Sequence, residues 1–392
     1  MRILVLSFYY RPDLCAGSFR TTPLVTALRE RAPAGTQIDV VTTLPNRYST
    51  FTQEAAEIES LPGLEIRRIK LPSHRSDMRN QARAFLHFAR SALAITRPRR
   101  YDLVFATSSR LMTAALGALI ARRQGAPLYL DLRDIFVDTI RDILPTVAAW
   151  PLGHCFSFVE SWTVRRAGRL NLVSPGFEKY FRTRYGERSF SWFTNGIDDE
   201  FLAAAPAGTS ASRGDLATIL YAGNMGEGQQ LHEILPALAR ALRGRARFVV
   251  IGDGGRRDAL LAAISRSGVD NVELRPPMQR TALLQAYREA DVLFLHLGAH
   301  AAFEKVLPSK LFEYAALGKP VLAGVAGYAA KFVREEILNA AVFAPCDAQA
   351  AVGAFDSLEL VSQPRPDFVA KYSRANIVRA MADDVLTLLP EA

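Results

Sequence analysis

Short apolar runs alternate with longer amphipathic stretches along almost the whole chain. An apolar run between turn-forming residues is typical of a buried strand, and an apolar period near 3.6 residues is typical of a helix. Regular alternation of the two predicts parallel sheets covered by helices. The predicted strands of a first series are Ile3–Ser7, Gln37–Thr42, Leu103–Ala106, Leu128–Leu132 and Leu170–Val173.

A second alternating series follows a break at Asn195–Asp198 and the loose stretch Ala203–Gly214. With 392 residues, the chain exceeds what one hydrophobic core usually supports. We therefore predict two tandem Rossmann-like domains, residues 1–197 and 198–372, and a last helix over 373–392 that closes the second domain or crosses back to the first. The predicted strands of the second series are Thr218–Tyr221, Phe248–Ile251, Val272–Leu274, Val292–Leu295, Val321–Ala323 and Ala341–Phe343. Predicted helices include Arg20–Arg31, Leu111–Gln124, Phe156–Ala167 and Ser373–Leu389.

Composition excludes several classes of protein. A hydrophobic content of 49% with 22% charged residues is typical of a folded chain and not of a disordered one. The longest uncharged apolar run, Leu111–Ala121, is too short to span a bilayer. The first residues run from a strand into aromatics without a small-residue cleavage site, so they do not indicate a signal peptide. The three cysteines form neither a disulfide framework nor a zinc pattern, and we expect a cytoplasmic protein.

The net charge of +9 is concentrated in the first half of the chain. Residues 1–200 contain 28 Lys and Arg against 19 Asp and Glu, whereas residues 201–392 contain 20 of each. A predicted amphipathic helix in the first half carries arginines on one face and apolar residues on the other. Its basic face comprises Arg79, Arg83, Arg90 and Arg97, and its apolar face comprises Phe85, Phe88, Ala92 and Ile95.

Such a basic face suits an anionic surface, either lipid headgroups or a lipid-linked diphosphate. A core-packed helix with a solvated basic face is the alternative. Charge alone also suggests nucleic acid, but the chain lacks interleaved exposed aromatics and a recognisable nucleic-acid-binding module. We therefore expect an anionic membrane surface, and no nucleic acid, as a partner.

The stretch Pro308–Leu322 predicts a loop, a short helix and a buried strand. Pro308 suits the start of a helix, and Gly318 suits its left-handed end. Lys310 and Glu313 are three residues apart, so their side chains project from one face. A cation and a carboxylate placed there can hold a phosphate and a pair of ribose hydroxyls; a plain connector between helix and strand is the alternative.

Two glycine-rich loops follow predicted strands of the second domain. A strand, a glycine-rich loop and a helix form a phosphate cradle, although neither loop has the Lys-Ser/Thr pair of a P-loop. Ordinary turns are the alternative explanation for each loop taken alone. The candidate residues are Asn224, Gly226 and Gln229 in the first loop and Gly252, Asp253 and Gly254 in the second.

The first domain has two candidate sites at strand ends. A small-residue turn around Gly17 lets backbone amides approach an anion, without being a GxGxxG fingerprint; a purely structural loop is the alternative. Strand Leu128–Leu132 runs into Asp134, whose carboxylate can order an acceptor hydroxyl or counter positive charge on a sugar ring. Helix capping or an ion pair with Arg133 or Arg141 is the alternative. The chain shows no metal-ligand spacing, so no metal is expected.

Taken together, these residues resemble the bacterial glycosyltransferases of family 4, which have the GT-B fold. The resemblance runs through almost the whole chain. It implies an α/β architecture of two Rossmann-like domains facing across a cleft, with the last helix crossing back to the first domain. It also implies a retaining, metal-independent transfer from a nucleotide-sugar donor held mainly by the second domain. The residues that carry it are Gly17, Ser18, Arg20, Val40–Asn46, Asp131–Asp134, Thr194–Asp198, Tyr221–Asn224, Val250–Gly254, Ala290–Val292 and Pro308–Pro320.

By the same resemblance, Glu313 binds the donor ribose and Gly17 lies near the donor diphosphate. The chain departs from the family in that the first glutamate of the Glu-x7-Glu pattern is Lys305, with Glu304 one residue away. The family's Arg and Lys after the first strand of the second domain are also absent. Diphosphate binding then falls to Lys310 and backbone amides.

A subgroup that builds lipid-linked surface polysaccharides has a similar Gly-Asn-x-Gly loop and a Pro-Ser-Lys segment before the glutamate. By that resemblance Ser309 and Leu311 join the donor-binding residues. We expect a UDP-sugar donor, a polyprenyl-diphosphate saccharide acceptor, and no cofactor besides the donor. The place of action is then the inner face of the bacterial cytoplasmic membrane, with Lys310 stabilising the departing diphosphate and Asp134 ordering the acceptor. A GT-B epimerase or hydrolase of nucleotide sugars and a non-enzymatic membrane scaffold are the alternatives.

Overall fold

The computed structural model describes most of the 392 residues. Some side chains within helices and strands are not described, among them that of Arg79. Part of the stretch 203–214 also lies outside the described residues. The residues not described are 14, 46–53, 73–77, 109–110, 136, 138–145, 205–209, 212–215 and 391–392, with the side chains of 78–79, 146–152, 204 and 210–211. Asn46 and Arg141, named above, lie outside the described residues.

The chain divides into two compact units, one of residues 1–194 with 375–392 and the other of residues 195–374. An eight-stranded sheet forms the first unit, in the order β3-β4-β2-β1-β5-β6-β7-β8. All neighbours are parallel except β3 and β4. The strands are β1 Arg2–Leu6, β2 Gln37–Thr43, β3 Ile58–Leu61, β4 Leu64–Ile69, β5 Leu103–Thr107, β6 Leu128–Leu132, β7 Arg169–Leu172 and β8 Phe190–Ser191. The helices are α1 Ala16–Arg31, α2 Met78–Thr96, α3 Leu111–Gln124, α4 Thr146–Val164 and α5 Glu178–Tyr185.

A parallel six-stranded sheet forms the second unit, in the order β12-β11-β10-β13-β14-β15. A separate pair, β9 and β16, is antiparallel. The strands are β9 Ser210–Ala211, β10 Ala217–Asn224, β11 Ala246–Asp253, β12 Val272–Arg275, β13 Val292–His296, β14 Val321–Gly324, β15 Ala340–Phe343 and β16 Val361–Ser362. The helices are α6 Asp199–Ala204, α7 Leu231–Ala241, α8 Arg257–Ser267, α9 Arg280–Glu289, α10 Lys310–Ala316, α11 Gly327–Glu336, α12 Ala348–Asp356 and α13 Pro366–Tyr372.

Alternating strand residues of the second unit build two cores. Ile219 and Tyr221 pack on one face of the sheet, whereas Leu220 and Ala222 pack on the other. This period of two is what a strand buried on both faces requires. The strand order reverses between β10 and β13, and ligands of open parallel sheets bind at the carboxyl ends of such strands. These two sheets confirm the predicted α/β class.

The final helix, α14 Arg374–Leu386, packs on the first sheet. Val378, Met381 and Val385 are buried in the same hydrophobic cluster as Ile3 of β1. The Tyr129 hydroxyl donates a hydrogen bond to the Asp384 carboxylate at 2.9 Å. The last helix thus completes the first unit. Among the described helices, none combines the length and apolarity that a bilayer span requires.

Two helices begin earlier than the sequence predicts. Helix α1 begins at Ala16 and not at Arg20, so Gly17 lies in its first turn and not in a loop before it. Helix α4 extends over Thr146–Val164, whereas the prediction was Phe156–Ala167. Gly17 and Ser18 in α1, and Pro151 and Gly153 in α4, lower the helix propensity of these early turns. In α1, the burial of Gly17 and Ser18 outweighs this low propensity.

Candidate active site

Several loops meet at the carboxyl-terminal edge of the second sheet. They follow β10, β11 and β13, and the first turn of α10 joins them. The Gly298 amide donates a hydrogen bond to the Gly228 carbonyl at 2.8 Å, which ties the loop after β13 to the loop after β10. The Met225 amide likewise donates to the Asp253 carbonyl at 2.8 Å, which ties the loops after β10 and β11 together.

The Lys310 side chain lies over the backbone of Gly223. A Cβ atom on Gly223 would come within 2.6 Å of the Lys310 Cε atom, so a side chain at position 223 would displace the lysine. Desolvation lowers the pKa of the half-buried Lys310 ammonium, the nearby Glu313 carboxylate opposes this shift, and Arg280 adds to it. An anion bound beside this ammonium group would offset the unfavourable desolvation of its charge.

Glu313 lies one helical turn from Lys310, beside two tyrosines. The rings of Tyr287 and Tyr314 are 5.6 Å apart and nearly perpendicular. Desolvation raises the pKa of both phenols, and the Glu313 charge contributes to each rise. The Glu313 carboxylate therefore lies next to two protonated tyrosines. Its side chain is half-buried and remains partly accessible.

The side chains of Asn224 and Gln229 shape the loop after β10. The Asn224 Nδ2 group donates to the Gln229 Oε1 atom at 2.9 Å, and the Gly226 amide donates to the same oxygen at 3.1 Å. A Cβ atom on Gly226 would come within 2.4 Å of the Asn224 Nδ2 atom. The structure thus places all three residues together, with Gln229 as the hub of the turn.

The loop after β11 requires glycine for close backbone approach. A Cβ atom on Gly252 would come within 1.9 Å of the Gly223 carbonyl oxygen, and one on Gly254 within 2.6 Å of Met225. The Asp253 Oδ1 atom accepts a hydrogen bond from the Gly254 amide at 2.8 Å. Gly252 and Gly254 let the glycine-rich loops after β10 and β11 pack backbone to backbone.

His296 is the last residue of β13 and lies at the same carboxyl-terminal edge of the sheet. Its Nδ1 atom lies 2.7 Å from the Gln229 carbonyl oxygen, and its Nε2 atom accepts from the Cys346 amide at 2.9 Å. Because the Nε2 atom accepts, Nδ1 carries the proton and the ring is neutral. Burial lowers the pKa of His296 to about 4. The histidine therefore braces the Gln229 loop and is not a proton donor near neutral pH.

The first unit places its two candidates near the carboxyl ends of β1 and β6. Gly17 is buried in the first turn of α1. Asp134 follows β6 and its side chain is exposed, while desolvation by neighbouring protein atoms raises the pKa of its carboxyl group to about 6. The neighbouring Arg133 opposes this rise.

A buried ion pair lies beside these positions. The Arg20 Nε atom donates to Asp131 Oδ2 at 2.8 Å, and an Arg20 terminal nitrogen donates to Asp131 Oδ1 at 2.9 Å. The same guanidinium donates to the Phe193 and Thr194 carbonyls at 2.7 Å. Asn171 completes the network with a 2.7 Å bond to Asp131 Oδ1. This bidentate pair fixes the segment where the chain leaves the first unit.

Helix α2 presents its predicted arginines to solvent. Arg83 and Arg90 are exposed, and Arg97 is exposed one residue beyond the helix end. On the opposite side Phe88 and Ala92 are fully buried. The charged face and the core-packed face thus coexist, which leaves the basic face available to a partner.

Two models of protein families match the chain. One, "Glycosyl transferase 4-like domain", matches residues 20–189, and the other, "Glycosyl transferases group 1", matches residues 208–375. The chain belongs to the family 4 glycosyltransferases. This glycosyltransferase is 23% identical over 342 residues to "Putative colanic acid biosynthesis glycosyl transferase WcaI" of Escherichia coli strain K12, with 81% of this chain and 82% of that protein covered.

Solved structures show the same fold. Sucrose-phosphate synthase from Thermosynechococcus elongatus superimposes with a TM-score of 0.68 at 14% identity, covering 99% of this chain and 94% of that chain. Anabaena HepE in complex with UDP-glucose gives a TM-score of 0.61 at 15% identity, covering 99% and 97%. These likenesses confirm the GT-B fold predicted from the sequence motifs.

The remaining predicted donor residues of the glycosyltransferase surround α10. Lys305 is half-buried and Glu304 is exposed, both in the 3-10 turn Ala301–Lys305. Ser309 is half-buried and directly precedes the helix. Leu311 is fully buried in the hydrophobic core, which leaves its side chain no surface for a donor. Glu304 and Lys305 thus keep accessible side-chain surface, whereas the Leu311 side chain has none, and the donor-binding role of Glu304 and Lys305 stays a prediction.

Sequence reasoning missed two features of the glycosyltransferase site. The buried ion pair between Arg20 and Asp131 joins residues more than a hundred positions apart in the sequence. The available sequence signal was an arginine on the apolar face of a predicted helix. The contact between Gly223 and Lys310 was also missed, although Gly223 follows directly on a buried strand. The prediction that no metal takes part remains a prediction.

Proposed function

We propose that the enzyme transfers a sugar, with retention of configuration, from a UDP-sugar to a polyprenyl-diphosphate-linked saccharide during surface polysaccharide synthesis. The second unit would hold the donor and the first unit the acceptor. The reaction would need no metal. It would take place at the inner face of the cytoplasmic membrane, where the lipid-linked acceptor is accessible to a peripheral enzyme.

The observation that carries the proposal is the desolvated Lys310 ammonium lying over Gly223, with Glu313 one turn away. A diphosphate beside Lys310 would stabilise the charged form of the ammonium group and so offset the cost of its desolvation. A carboxylate at Glu313 accepts hydrogen bonds from two hydroxyls of a ribose. The spacing of a cation and a carboxylate on one helix face thus suits a nucleoside diphosphate.

Two relatives support the finer assignment. Anabaena HepE was solved with UDP-glucose, which supports a UDP-linked donor. The name of WcaI refers to colanic acid biosynthesis, which supports a role in surface polysaccharide. The exposed arginines Arg83 and Arg90 of α2 support an anionic, lipid-linked acceptor, because a diphosphate and lipid headgroups are both negative.

The proposed transfer proceeds on one face of the donor sugar. The bond between the anomeric carbon and the diphosphate oxygen breaks as the acceptor oxygen bonds to that carbon. The acceptor proton passes to the departing diphosphate, so UDP leaves as its protonated form and no protein base is consumed. Lys310 would stabilise charge that develops on the diphosphate, and Asp134 would order the acceptor hydroxyl.

A thermal-shift screen tests this proposal. UDP, GDP, ADP and their sugar conjugates are added without metal, and the unfolding temperature is measured. A ligand at about 100 times its Kd adds about 2.7 kcal/mol of stability. A shift with UDP alone supports the proposal. No shift with any nucleotide at millimolar concentration contradicts it.

Omission of the acceptor separates the transferase from an epimerase or hydrolase. A transferase consumes donor at an appreciable rate only with a lipid-linked saccharide present. Equal donor consumption with and without acceptor would overturn the proposed reaction while leaving the donor site intact.

Replacing Glu313 by alanine should weaken donor binding about ten- to hundredfold with a smaller effect on kcat. Two hydrogen bonds to a carboxylate are lost, and bonds to charged groups contribute about 1.5–3 kcal/mol. Calorimetric titration with UDP measures the change. The exposed Glu289 provides a matched control, and its replacement by alanine should leave the Kd unchanged. Equal Kd values for the two variants would remove Glu313 from the donor site.

The pH profile of kcat/KM for the acceptor should fall below about pH 6. Desolvation raises the pKa of Asp134 to about 6, so the carboxylate is protonated below that value and can no longer accept the acceptor hydroxyl proton as a hydrogen bond. In Asp134→Asn the acidic limb should disappear along with much of the activity. An acidic limb that persists unchanged in Asp134→Asn would assign it to another group.

A further inference from the structure

A cavity of about 550 Å³ lies on the first unit between the last turns of α3 and α4. Ala118 and Ala121 of α3 form part of its lining, and Trp162 of α4 lines it from the other side. The rim carries three arginines, Arg122, Arg165 and Arg166. This combination of small apolar residues, an indole and guanidinium groups can accommodate an anion attached to an apolar body.

The cavity is separate from the proposed acceptor site. Helix α3 ends before β6 begins, and α4 ends before β7 begins, so their last turns lie near the amino-terminal ends of these strands. Asp134 and Gly17, in contrast, follow the carboxyl-terminal ends of β6 and β1. A ligand in the cavity therefore does not compete for the catalytic edge of the sheet.

The three rim arginines are exposed and carry uncompensated charge. Within the part of the chain that the structure describes, no carboxylate lies within ion-pairing distance of them. The Val164 carbonyl at the end of α4 is already satisfied, because it accepts from the Ala167 amide at 3.2 Å and from Arg188 at 3.3 Å. The rim guanidinium groups are thus not needed to cap the helix.

The helices around the cavity are poor in acidic residues. In the sequences of α2, α3 and α4, Glu160 is the sole acid. Its side chain is buried and accepts hydrogen bonds from Tyr180 at 2.7 Å and Tyr185 at 2.5 Å. The face that these helices cover is therefore positive, and charge complementarity selects a negative partner.

An exposed aromatic residue lies next to the basic rim. Phe158 precedes Trp162 by four residues on α4 and is 73% exposed. The Arg166 guanidinium lies 5.0 Å from the centre of the Trp162 ring. Residues four apart lie on one side of a helix, so Phe158 and Trp162 share one side of α4, and Arg166 follows two residues beyond its end. Together these residues form an apolar-to-basic gradient. Such a gradient matches the boundary between acyl chains and headgroups.

We propose that this cavity binds the phosphate of an anionic glycerophospholipid, with the rim arginines on the phosphate and Phe158 in the acyl layer. This inference deepens the proposed function and rests on it only for the membrane location. It assigns a lipid site to helices α3 and α4, in addition to the basic face of α2.

Vesicle co-sedimentation tests the proposal with the full chain at 150 mM salt. Phosphatidylglycerol vesicles are compared with phosphatidylcholine vesicles for the wild type and the variant Arg122→Gln/Arg165→Gln/Arg166→Gln. The matched control removes three exposed arginines of the second unit, Arg266→Gln/Arg288→Gln/Arg334→Gln. Because a basic residue near an anionic surface is worth about fivefold in affinity, the rim variant should bind phosphatidylglycerol about a hundredfold more weakly, and the control within about threefold of wild type.

Equal weakening in the two triple variants overturns the proposal, as does wild-type binding that does not prefer phosphatidylglycerol. A wild type that is stabilised by millimolar glycerol 3-phosphate but binds phosphatidylglycerol and phosphatidylcholine vesicles equally also overturns it, because the cavity would then serve a soluble anion. Phe158→Ser should weaken vesicle binding without changing the UDP-induced thermal shift.

The UDP-induced thermal shift is measured on the same proteins. It should be the same in the wild type and both triple variants, which also shows that the variants fold. If UDP gives no shift even in the wild type, the proposed transferase function fails while the vesicle comparison still decides the lipid site.

Discussion

Replacement of Lys310 by alanine is expected to lower kcat about a hundredfold or more, while the Kd for UDP-sugar changes less than tenfold. Negative charge on the diphosphate increases as the glycosidic bond breaks, so an ammonium beside it stabilises the transition state more than the bound donor. Removing one such electrostatic group typically costs about a hundred- to a thousandfold in kcat. Single-turnover kinetics and calorimetric titration separate the two effects.

Lys319 offers a matched control for that experiment. It is a half-buried lysine of the same unit, and desolvation also lowers its pKa. It precedes β14, at the amino-terminal end of that strand and away from the loops that hold Lys310. Lys319→Ala should keep kcat within about threefold. Similar losses in both variants would show that the effect comes from stability and not from leaving-group stabilisation.

Replacement of Asp131 by leucine is expected to lower the free energy of unfolding of the first unit by about 3–5 kcal/mol. The change leaves the Arg20 guanidinium buried without its carboxylate, and an uncompensated buried charge has a cost of this size. All three tryptophans, Trp150, Trp162 and Trp192, belong to the first unit. Tryptophan fluorescence during urea denaturation therefore reports on this unit alone.

Two variants check the origin of that loss. The double variant Arg20→Met/Asp131→Leu removes both charges and should be more stable than Asp131→Leu. Glu187→Ala breaks an exposed pair with Arg182 in the same unit and should cost less than about 1 kcal/mol. A double variant as unstable as the single one would assign the loss to packing and not to charge.

Acid should weaken the same ion pair. Desolvation by itself raises the pKa of Asp131, but the Arg20 charge and hydrogen bonds outweigh it and hold the pKa below its usual range. A carboxyl group with a depressed pKa contributes stability above its unfolded pKa of about 3.9 and loses that contribution as the pH falls toward the folded value. The pair therefore stabilises the first unit throughout the neutral range.

The sequence predicted the core strands of both sheets because the apolar pattern of a buried strand is local. The core strands β1, β10 and β13 are uninterrupted apolar runs between turn residues, and such runs have few other structures available. The hairpin β3–β4 escaped prediction because Ile58–Leu61 mixes charged and apolar residues on an exposed edge. The start of α1 escaped prediction because Gly17 and Ser18 are poor helix formers.

The sequence predicted which residues form the candidate site, but not which of them are in contact. Lys310 and Glu313 share one helical turn, so their proximity follows from spacing alone. The Lys310–Gly223 contact joins a helix to a strand end nearly ninety residues away, and no local pattern encodes it. Leu311 shows that a position inside a predicted site motif can have a side chain that belongs to the hydrophobic core.

The position of α14 has a consequence for biosynthesis. Helix α14 supplies Val378, Met381 and Val385 to the core of the first unit, but the ribosome makes them only after the entire second unit. At about 5–20 residues per second, that interval lasts on the order of ten to forty seconds. During this time the nascent first unit exposes the apolar groove that α14 will fill. We therefore expect ribosome-associated chaperones to bind the nascent chain until the last helix emerges.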